Sequence, residues 1–391
     1  MSYEVNAGRF FSVPLKRTDD KDLIKPIEVV LSSTCDTTEE GIMKYIRDFD
    51  ALRKTAVVKP VSKSASAMDS LYEYHDNLVA VGKHISSRNG SDVKNLFTWK
   101  DSLQKGGLFS TASKLSVADG EFERLCILYN IAALASQIAS EVNLQTDEGL
   151  KVVTKHFQES AGIFAHIKDR IVSVVGDQQL TADLTPIILK ALELTMTAHA
   201  QECIYLKASS DPSLSRKQDM LAKVASQASF LYSEAVNAFG EGQSNASLGS
   251  VLKMCKAKKE VFECRAQIHQ AKVANSSHSY GEAIARYRLV EPTLKNLISC
   301  ASAFCPEINL QQLHSTVVAE KEAIEKDNNL IYHESIPEVS ALPPIGKAQI
   351  AKAKVYNADE YFGKNFTDVL SAELNKLNEK GSSKQKDCVV S

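Results

Sequence analysis

The residue with the plainest chemistry in this chain of 391 residues is its fourth from last, Cys388. Val389, Val390 and Ser391 follow it, which is the C-a-a-X pattern of a prenylation box: a thiol to be alkylated, two aliphatic residues, and a last residue that selects the lipid. A terminal Ser selects farnesyl over geranylgeranyl. Processing enzymes need an extended, accessible end, and the polar run containing Gly381, Ser382 and Ser383 predicts one. The rival account is a chance cysteine in a loose tail; its place at the very end favours lipidation. One lipid gives only marginal, reversible membrane binding, so stable attachment needs a second signal. Nearby charge does not supply it. Between 373 and 387 the four lysines 376, 380, 384 and 386 are offset by Glu373, Glu379 and Asp387, leaving one positive charge.

Elsewhere the chemistry is thin. Cysteines stand at 35, 126, 203, 255, 264, 300 and 305, with no C-x-x-C pair and no His at zinc spacing. Most sit in apolar helical stretches, where a reduced thiol behaves as a small hydrophobe. The sequence has no G-x-x-x-x-G-K-[ST] loop, no G-x-S-x-G elbow and no H-E-x-x-H pair. Gly240 and Gly242 lack the third glycine of a dinucleotide loop. His333-Glu334 runs into Ser335-Ile336-Pro337, which cannot continue a metal-binding helix. These observations predict a protein that is not an enzyme, with no cofactor, no metal and no small-molecule substrate. A net charge of −2 argues against a general grip on nucleic acid.

The elements that would position any site are mainly helical. Only 17 Gly and 10 Pro are present, so long helices dominate over strands and tight turns. Phe11, Val13 and Leu15 alternate with polar residues and predict a short N-terminal edge strand, with Pro14 confining it to the edge. Helices are expected over 38–57 and 67–86, and β-like runs over 95–99 and up to Val117. From Asp119 the pattern is helical almost throughout. Leu150, Val153, Phe157, Ala161, Phe164, Ile167, Ile171 and Val174 recur in steps of three or four, one buried stripe. Thr146 is its N-cap, with Asp147 and Glu148 in the first turn. A further helix starts at Thr185-Pro186, another carries Leu221, Val224, Ala228, Leu231, Ala235 and Ala238, and three more follow over about 247–274, 279–304 and 309–328. Short polar turns make successive helices antiparallel neighbours. After Asn329 the prolines 337, 343 and 344 impose extended chain, whose Ile331, Tyr332, Ile336 and Ile345 are expected to lie on the helices. A short helix over 365–378 and a flexible tail complete the expectation.

Several stretches resemble the Bro-one (BRO1) domain of the Alix/Brox-like family, adaptors associated with the ESCRT membrane-remodelling pathway. They are Phe97-Thr98-Trp99-Lys100-Asp101, Lys105-Gly106-Gly107-Leu108-Phe109, Ala132-Ala133-Leu134-Ala135-Ser136-Gln137-Ile138-Ala139 and Asp147-Glu148-Gly149-Leu150-Lys151, then Ala200-Gln201-Glu202, Lys326-Asp327-Asn328, Ile331-Tyr332-His333 and Pro344-Ile345-Gly346-Lys347-Ala348. The stretches run in family order. The resemblance implies a Bro-one domain over 1–370 and a tail over 371–391 ending in the prenylation box. It implies a mainly α fold: a curved array of antiparallel helices with a tetratricopeptide-like core and a small N-terminal β-sheet. It also implies a cytoplasmic protein, peripherally associated with endosomal or other membranes.

The family binds the C-terminal amphipathic helix of an ESCRT-III subunit, a charged multivesicular body protein, in a hydrophobic groove. Matching its motifs places Ile204, Met220 and Val224 in that groove, with Asp147 and Lys151 at its polar edge. Met220 and Val224 are four apart and share a helix face. Val224 also lies on the core stripe of its helix, Ile204 fits plain packing, and Asp147 is explained by the helix dipole; the resemblance favours binding. Val224 stands where the family carries a bulkier leucine, which bears on affinity and partner choice. Leu108 and Phe109 correspond to an exposed apolar loop in the family, and contact with a membrane or protein stays open beside ordinary packing. A second function implied by related Bro-one proteins is that of a Rho-type GTPase effector or signalling scaffold. If Cys388 carries the lipid, Cys388→Ser moves the protein from the membrane to the soluble fraction on cell fractionation. Equal membrane partition of the two forms would remove the lipid as an anchor.

Overall fold

Apolar residues at helical spacing wind most of the chain into ten α-helices among the described residues, which are 10–31, 40–85, 96–104, 112–214, 216–241 and 248–357 of a computed structural model. The helices are α1 (Ile24–Leu31), α2 (Glu40–Arg53), α3 (Ala65–Ile85), α4 (Gly120–Glu141), α5 (Asp147–Val175), α6 (Pro186–Ser210), α7 (Gln218–Glu241), α8 (Gly249–Ser276), α9 (Tyr280–Cys300) and α10 (Leu310–Asp327). Two strands, β1 (Phe97–Lys100) and β2 (Lys114–Val117), pair antiparallel with Phe97 opposite Val117 and Trp99 opposite Leu115. Thr146 caps α5 as expected, its Oγ1 accepting from the Gly149 N–H at 3.0 Å. Pro186 opens α6 in the position where a missing N–H costs nothing. The helix expected over 365–378 and the boundary at 370 lie outside the described residues.

The chain divides into two compact units. One comprises Met1–Val13, Ala135–Ala165 and Ile187–Lys354. In it, α7, α8, α9 and α10 pack each on the next. Paired residues run in opposite senses along two of these contacts: Gln218 to His269 and Ser229 to Lys259 for α7 and α8, and Arg288 to Glu325 and Glu291 to Lys321 for α9 and α10. Neighbours are therefore antiparallel. Val261, Ile268, Tyr287, Val290, Leu294 and Val317 form the core shared by α8, α9 and α10. Beneath it lies a charge pair: Lys258 of α8 meets Glu202 of α6 at 2.8 Å, both fully buried, with Glu307 3.3 Å from the ammonium. Tyr232 of α7 donates to the same Glu202 oxygen at 2.7 Å. Burial alone would lower the Lys258 pKa, but the two carboxylates outweigh it and raise it.

The second unit comprises Pro14–Leu134, His166–Pro186 and Val355–Ser391. Its interior is organised by the buried Glu123, which accepts from Arg53 Nε at 2.9 Å, from Tyr74 OH at 3.0 Å and from the Trp99 indole. Lys16 and Asp183, both without exposure, pair at 2.5 Å, and the Ser102 N–H donates to the same Asp183 oxygen. These buried charges are thus matched where water cannot reach them.

Two expectations fail. Phe11, Val13 and Leu15 form no strand; the segment is extended and makes no ladder, the one bridge nearby being Thr18 with Trp99. The reason is that α4 side chains satisfy its backbone. Ser136 accepts from the Val13 N–H at 2.9 Å and Gln137 donates to the Val13 carbonyl at 2.8 Å. Further on, the Asn130 amide pairs with both the N–H and the carbonyl of Lys16. Ile331 and Tyr332 do not pack under the helices either, being 64% and 45% exposed. A π-helical turn over Asn328–Tyr332 ends in a left-handed His333, φ 54°, which turns the chain outward first. Tyr332 stacks instead on Tyr280, ring centroids 3.9 Å apart.

Removing one partner of a buried pair leaves the other charged and unpaired, so Lys258→Ala should cost about 3–5 kcal/mol in urea unfolding. A cost under about 1 kcal/mol would mean that water reaches Glu202.

Candidate functional site

The five residues expected at the helix-binding groove belong to the first unit and to three helices, α5, α6 and α7. The buried pair just described locks α6 to α7 and α8. His269 of α8 fixes how the ends of α6 and α7 converge. Tyr205 OH lies 2.8 Å from its Nε2, and Gln218 Oε1 lies 2.7 Å from its Nδ1. Burial first, then the nearby Lys272 and Arg265 cations, push the His269 pKa down to about 4. The ring is neutral near pH 7, so Nδ1–H donates to Gln218 and Nε2 accepts from Tyr205.

That bridge brings Ile204, next to Tyr205, and Met220, two residues past Gln218, to the same end of an antiparallel pair. Both side chains are half-buried, retaining contact with solvent. Val224 is different. It is fully buried, and its carbonyl accepts from Gln201 Nε2 at 3.2 Å, so it backs the platform from within and offers no surface. The spacing of four that pairs it with Met220 also puts it on the core stripe of α7, and the core wins.

Asp147 and Lys151 belong to a charged cluster. Asp147, at the first position of α5, holds Lys151 at 2.9 Å through one oxygen and Lys207 of α6 at 2.8 Å through the other. Lys151 also reaches Glu148 at 3.6 Å. Hydrogen bonds from the two lysines hold the Asp147 carboxyl below its usual range. The three side chains remain well exposed, so the cluster can exchange partners with an incoming charge. Lys207 had no counterpart in the sequence reading, although its place one turn beyond Ile204 was available as a signal.

Further buried polar groups are structural. His199, pushed down to about 3 by burial and by Lys258, sits among Phe10, Phe157 and Tyr232 and contacts Tyr232 OH at 2.8 Å. Of the six cysteines described, Cys126, Cys203, Cys255, Cys264 and Cys305 are buried, and burial raises the last three thiols to about 12. No group of three or more His, Cys, Asp or Glu among the described residues could hold a metal ion. Leu108, Phe109 and Cys388 lie outside the described residues.

A helical platform of this order, with a two-stranded sheet and a return strap of extended chain, has known relatives. The chain belongs to the BRO1-like domain family, whose profile matches residues 10–389. It is 35% identical over 365 residues to Programmed cell death 6-interacting protein of Homo sapiens, covering 92% of this chain and 40% of that protein. It is 28% identical over 382 residues to Vacuolar protein-sorting protein BRO1 of Gibberella zeae, covering 93% of this chain and 36% of that one. The chain thus spans well under half the length of these curated relatives. Among solved structures, an ALIX BRO1 CHMP4C complex matches with a TM-score of 0.82 and 33% identity, over 92% of this chain and 99% of that one. The expected helical fold with its small sheet is therefore that of the family.

His269 (about 4) and His166, also lowered to about 4 by burial and by Arg124 and Arg170, are neutral when folded, and each is free to take a proton once unfolded. Between the unfolded value near 6.5 and about 4 the unfolded chain binds more protons, so stability falls as pH drops through that window. Urea midpoints should decline from pH 7 to pH 4.5, and His269→Gln should flatten the slope. Parallel slopes for the two proteins would show that His269 takes up protons equally in the folded and unfolded chain.

Proposed function

We propose that this chain is a non-enzymatic adaptor that binds the C-terminal amphipathic helix of an ESCRT-III subunit, a charged multivesicular body protein, during endosomal sorting or related membrane remodelling. The observation that carries the reading is the pair Ile204 and Met220. They are apolar, half-open to solvent, and set beside an exposed acid–base cluster on a platform whose relative occurs in complex with CHMP4C. Helix-in-groove recognition needs these two parts: apolar holes for anchors at helical spacing, and charges at the rim that fix orientation. Asp147, already shared between two lysines, can take a basic residue of the ligand, while Lys151 and Lys207 can take acids. Val224 supports the floor and sets its depth. No helix among the described residues is long and apolar enough to cross a membrane. Attachment rests, in this proposal, on a farnesyl group at Cys388 together with the membrane-bound partner. The Rho-type effector function gains no support from the relatives found, and it is not proposed.

The test is a titration of the chain with a synthetic peptide of a charged multivesicular body protein's C-terminal helix. Met220→Asp puts a charge into the apolar pair and should weaken binding at least about tenfold, with an unchanged circular dichroism spectrum. A folded Met220→Asp protein with wild-type affinity would refute the site, and a wild-type protein that does not bind would refute the partner.

A further inference from the structure

Two ties join α6 to α7, one on either side of Ile204 and Met220. The first lies three residues before Ile204 and four after Met220, where Gln201 Nε2 donates to the Val224 carbonyl at 3.2 Å. The second lies one residue after Ile204 and two before Met220, and it runs through a third helix. Tyr205 OH donates to Nε2 of His269 on α8 at 2.8 Å, and His269 Nδ1–H donates to Gln218 Oε1 at 2.7 Å. The ties differ in kind. Gln201 grips main chain, whereas the His269 bridge consists of three side chains and fails if any one of them is lost.

The bridge stands where packing is thin. Past Tyr205, Leu206, Lys207 and Ser209 are half-buried and Ser210 is exposed. The hydroxyls of Ser209 and Ser210 both turn back onto the Leu206 carbonyl, at 3.0 and 2.9 Å. Beyond them the chain bonds to itself: the Asp211 N–H donates to the Lys207 carbonyl, and both the N–H and the hydroxyl of Ser213 donate to the Asp211 carboxylate. Lys207 ties the end of α6 to Asp147 of α5, which is a different neighbour. Tyr205 itself is well seated, its ring edge-on to Phe262 at 5.5 Å and under the Arg265 guanidinium at 5.0 Å. The ring packs on α8 with or without its hydroxyl; the hydroxyl carries the link onward to α7. A neutral imidazole has one donor and one acceptor, so a single tautomer serves both limbs. The Lys272 and Arg265 cations on the same helix disfavour a second proton there.

We infer that His269 is a positioning residue of the helix-binding site: through Tyr205 and Gln218 it sets the spacing of α6 and α7 across which a bound helix is gripped. This rests on the proposed adaptor function. Ile204 and Met220 come from different helices, so the gap between them is only as well defined as the distance between those helices. An apolar anchor seated on both loses a quarter to a half of its dispersion contact on one side when the walls part by roughly 0.5–1 Å. A gap held at one width also spares the ligand the cost of ordering it. The spacing needs both limbs of the bridge. Cutting either one frees it, and cutting the second frees nothing more.

The experiment titrates the full chain, Tyr205→Phe, Gln218→Ala and the double variant with the same C-terminal helix peptide, after circular dichroism has shown each to be folded. Tyr287→Phe is the control, because it removes a tyrosine hydrogen bond of the same kind, to Glu320, between α9 and α10. Each single variant of the bridge should lose roughly three- to tenfold in affinity. The double variant should lose no more than the weaker-binding of the two, and Tyr287→Phe should bind as the wild type does. Such a failure of additivity marks two residues acting as one unit, which a general loss of stability would not produce. Full affinity in either folded single variant overturns the inference and leaves the adaptor function standing. So do losses that multiply in the double variant, or an equal loss in Tyr287→Phe. A wild-type chain that does not bind the peptide overturns the adaptor function, and the inference with it.

Discussion

An α-helix uses its backbone donors and acceptors internally, so an extended chain laid across helices must find its hydrogen bonds in side chains. Much of this molecule is organised around that constraint. Three helix-borne amides solve it in the same way. Asn130 of α4 pairs with both backbone groups of Lys16, and Gln201 of α6 holds Ala348, Ile350 and Ala351. Asn328, past the end of α10, pairs with the N–H and carbonyl of Glu334. Arg286, almost wholly buried, adds a bond to the Pro343 carbonyl at 2.7 Å, and Glu334 caps the start of α9 through the Gly281 N–H. Gly281 itself leaves room for the Ser335 carbonyl. Extended chain is thus bound much as a protein binds a peptide, but within one polypeptide and with the ordering cost already met on folding.

The buried charges follow a related logic. Moving Lys258 and Glu202 out of water is expensive, and the pair is tolerated because Tyr232 and Glu307 complete its coordination. Glu123 is treated likewise by Arg53, Tyr74 and Trp99. Such sites contribute little net stability compared with an apolar core, yet they penalise any helix register that would break them. The position of α6 relative to α7 and α8 is fixed in this manner. Ile204 and Met220 inherit their neighbourhood from it.

Helical periodicity made nine of the ten described helices legible, α2 to α10, and cap chemistry placed Thr146 and Pro186 to the residue; the short α1 gave no such signal. Alternation at Phe11, Val13 and Leu15 was misleading, because period two marks an extended chain and does not say whether its hydrogen bonds go to a strand or to helix side chains. The site was legible in part. Ile204, Met220 and Val224 are alike in sequence terms, all apolar and on helical stripes; only neighbours separate a floor residue from an open one. Gln201 stood within a motif the sequence reading had singled out, but a glutamine on a helix announces nothing until the segment it binds, nearly 150 residues further on, is in place.

The strap closes the fold across α7, α6 and α5. Its last fixed point in the first unit is Lys354, after which the chain continues toward the proposed lipid site at Cys388. One farnesyl chain holds a protein at a bilayer only weakly, and a single groove of a few apolar side chains binds a helix with modest affinity. Joined in one molecule, the second contact forms at an effective concentration set by the tether, and the two together exceed either alone. Under the proposed function, then, neither contact needs to be strong. Weak individual contacts let the adaptor leave when the filament disassembles, whereas one tight groove or a doubly lipidated tail would hold it in place. The small size of the apolar pair, with Val224 where a larger leucine would raise the floor, is in keeping with such a division.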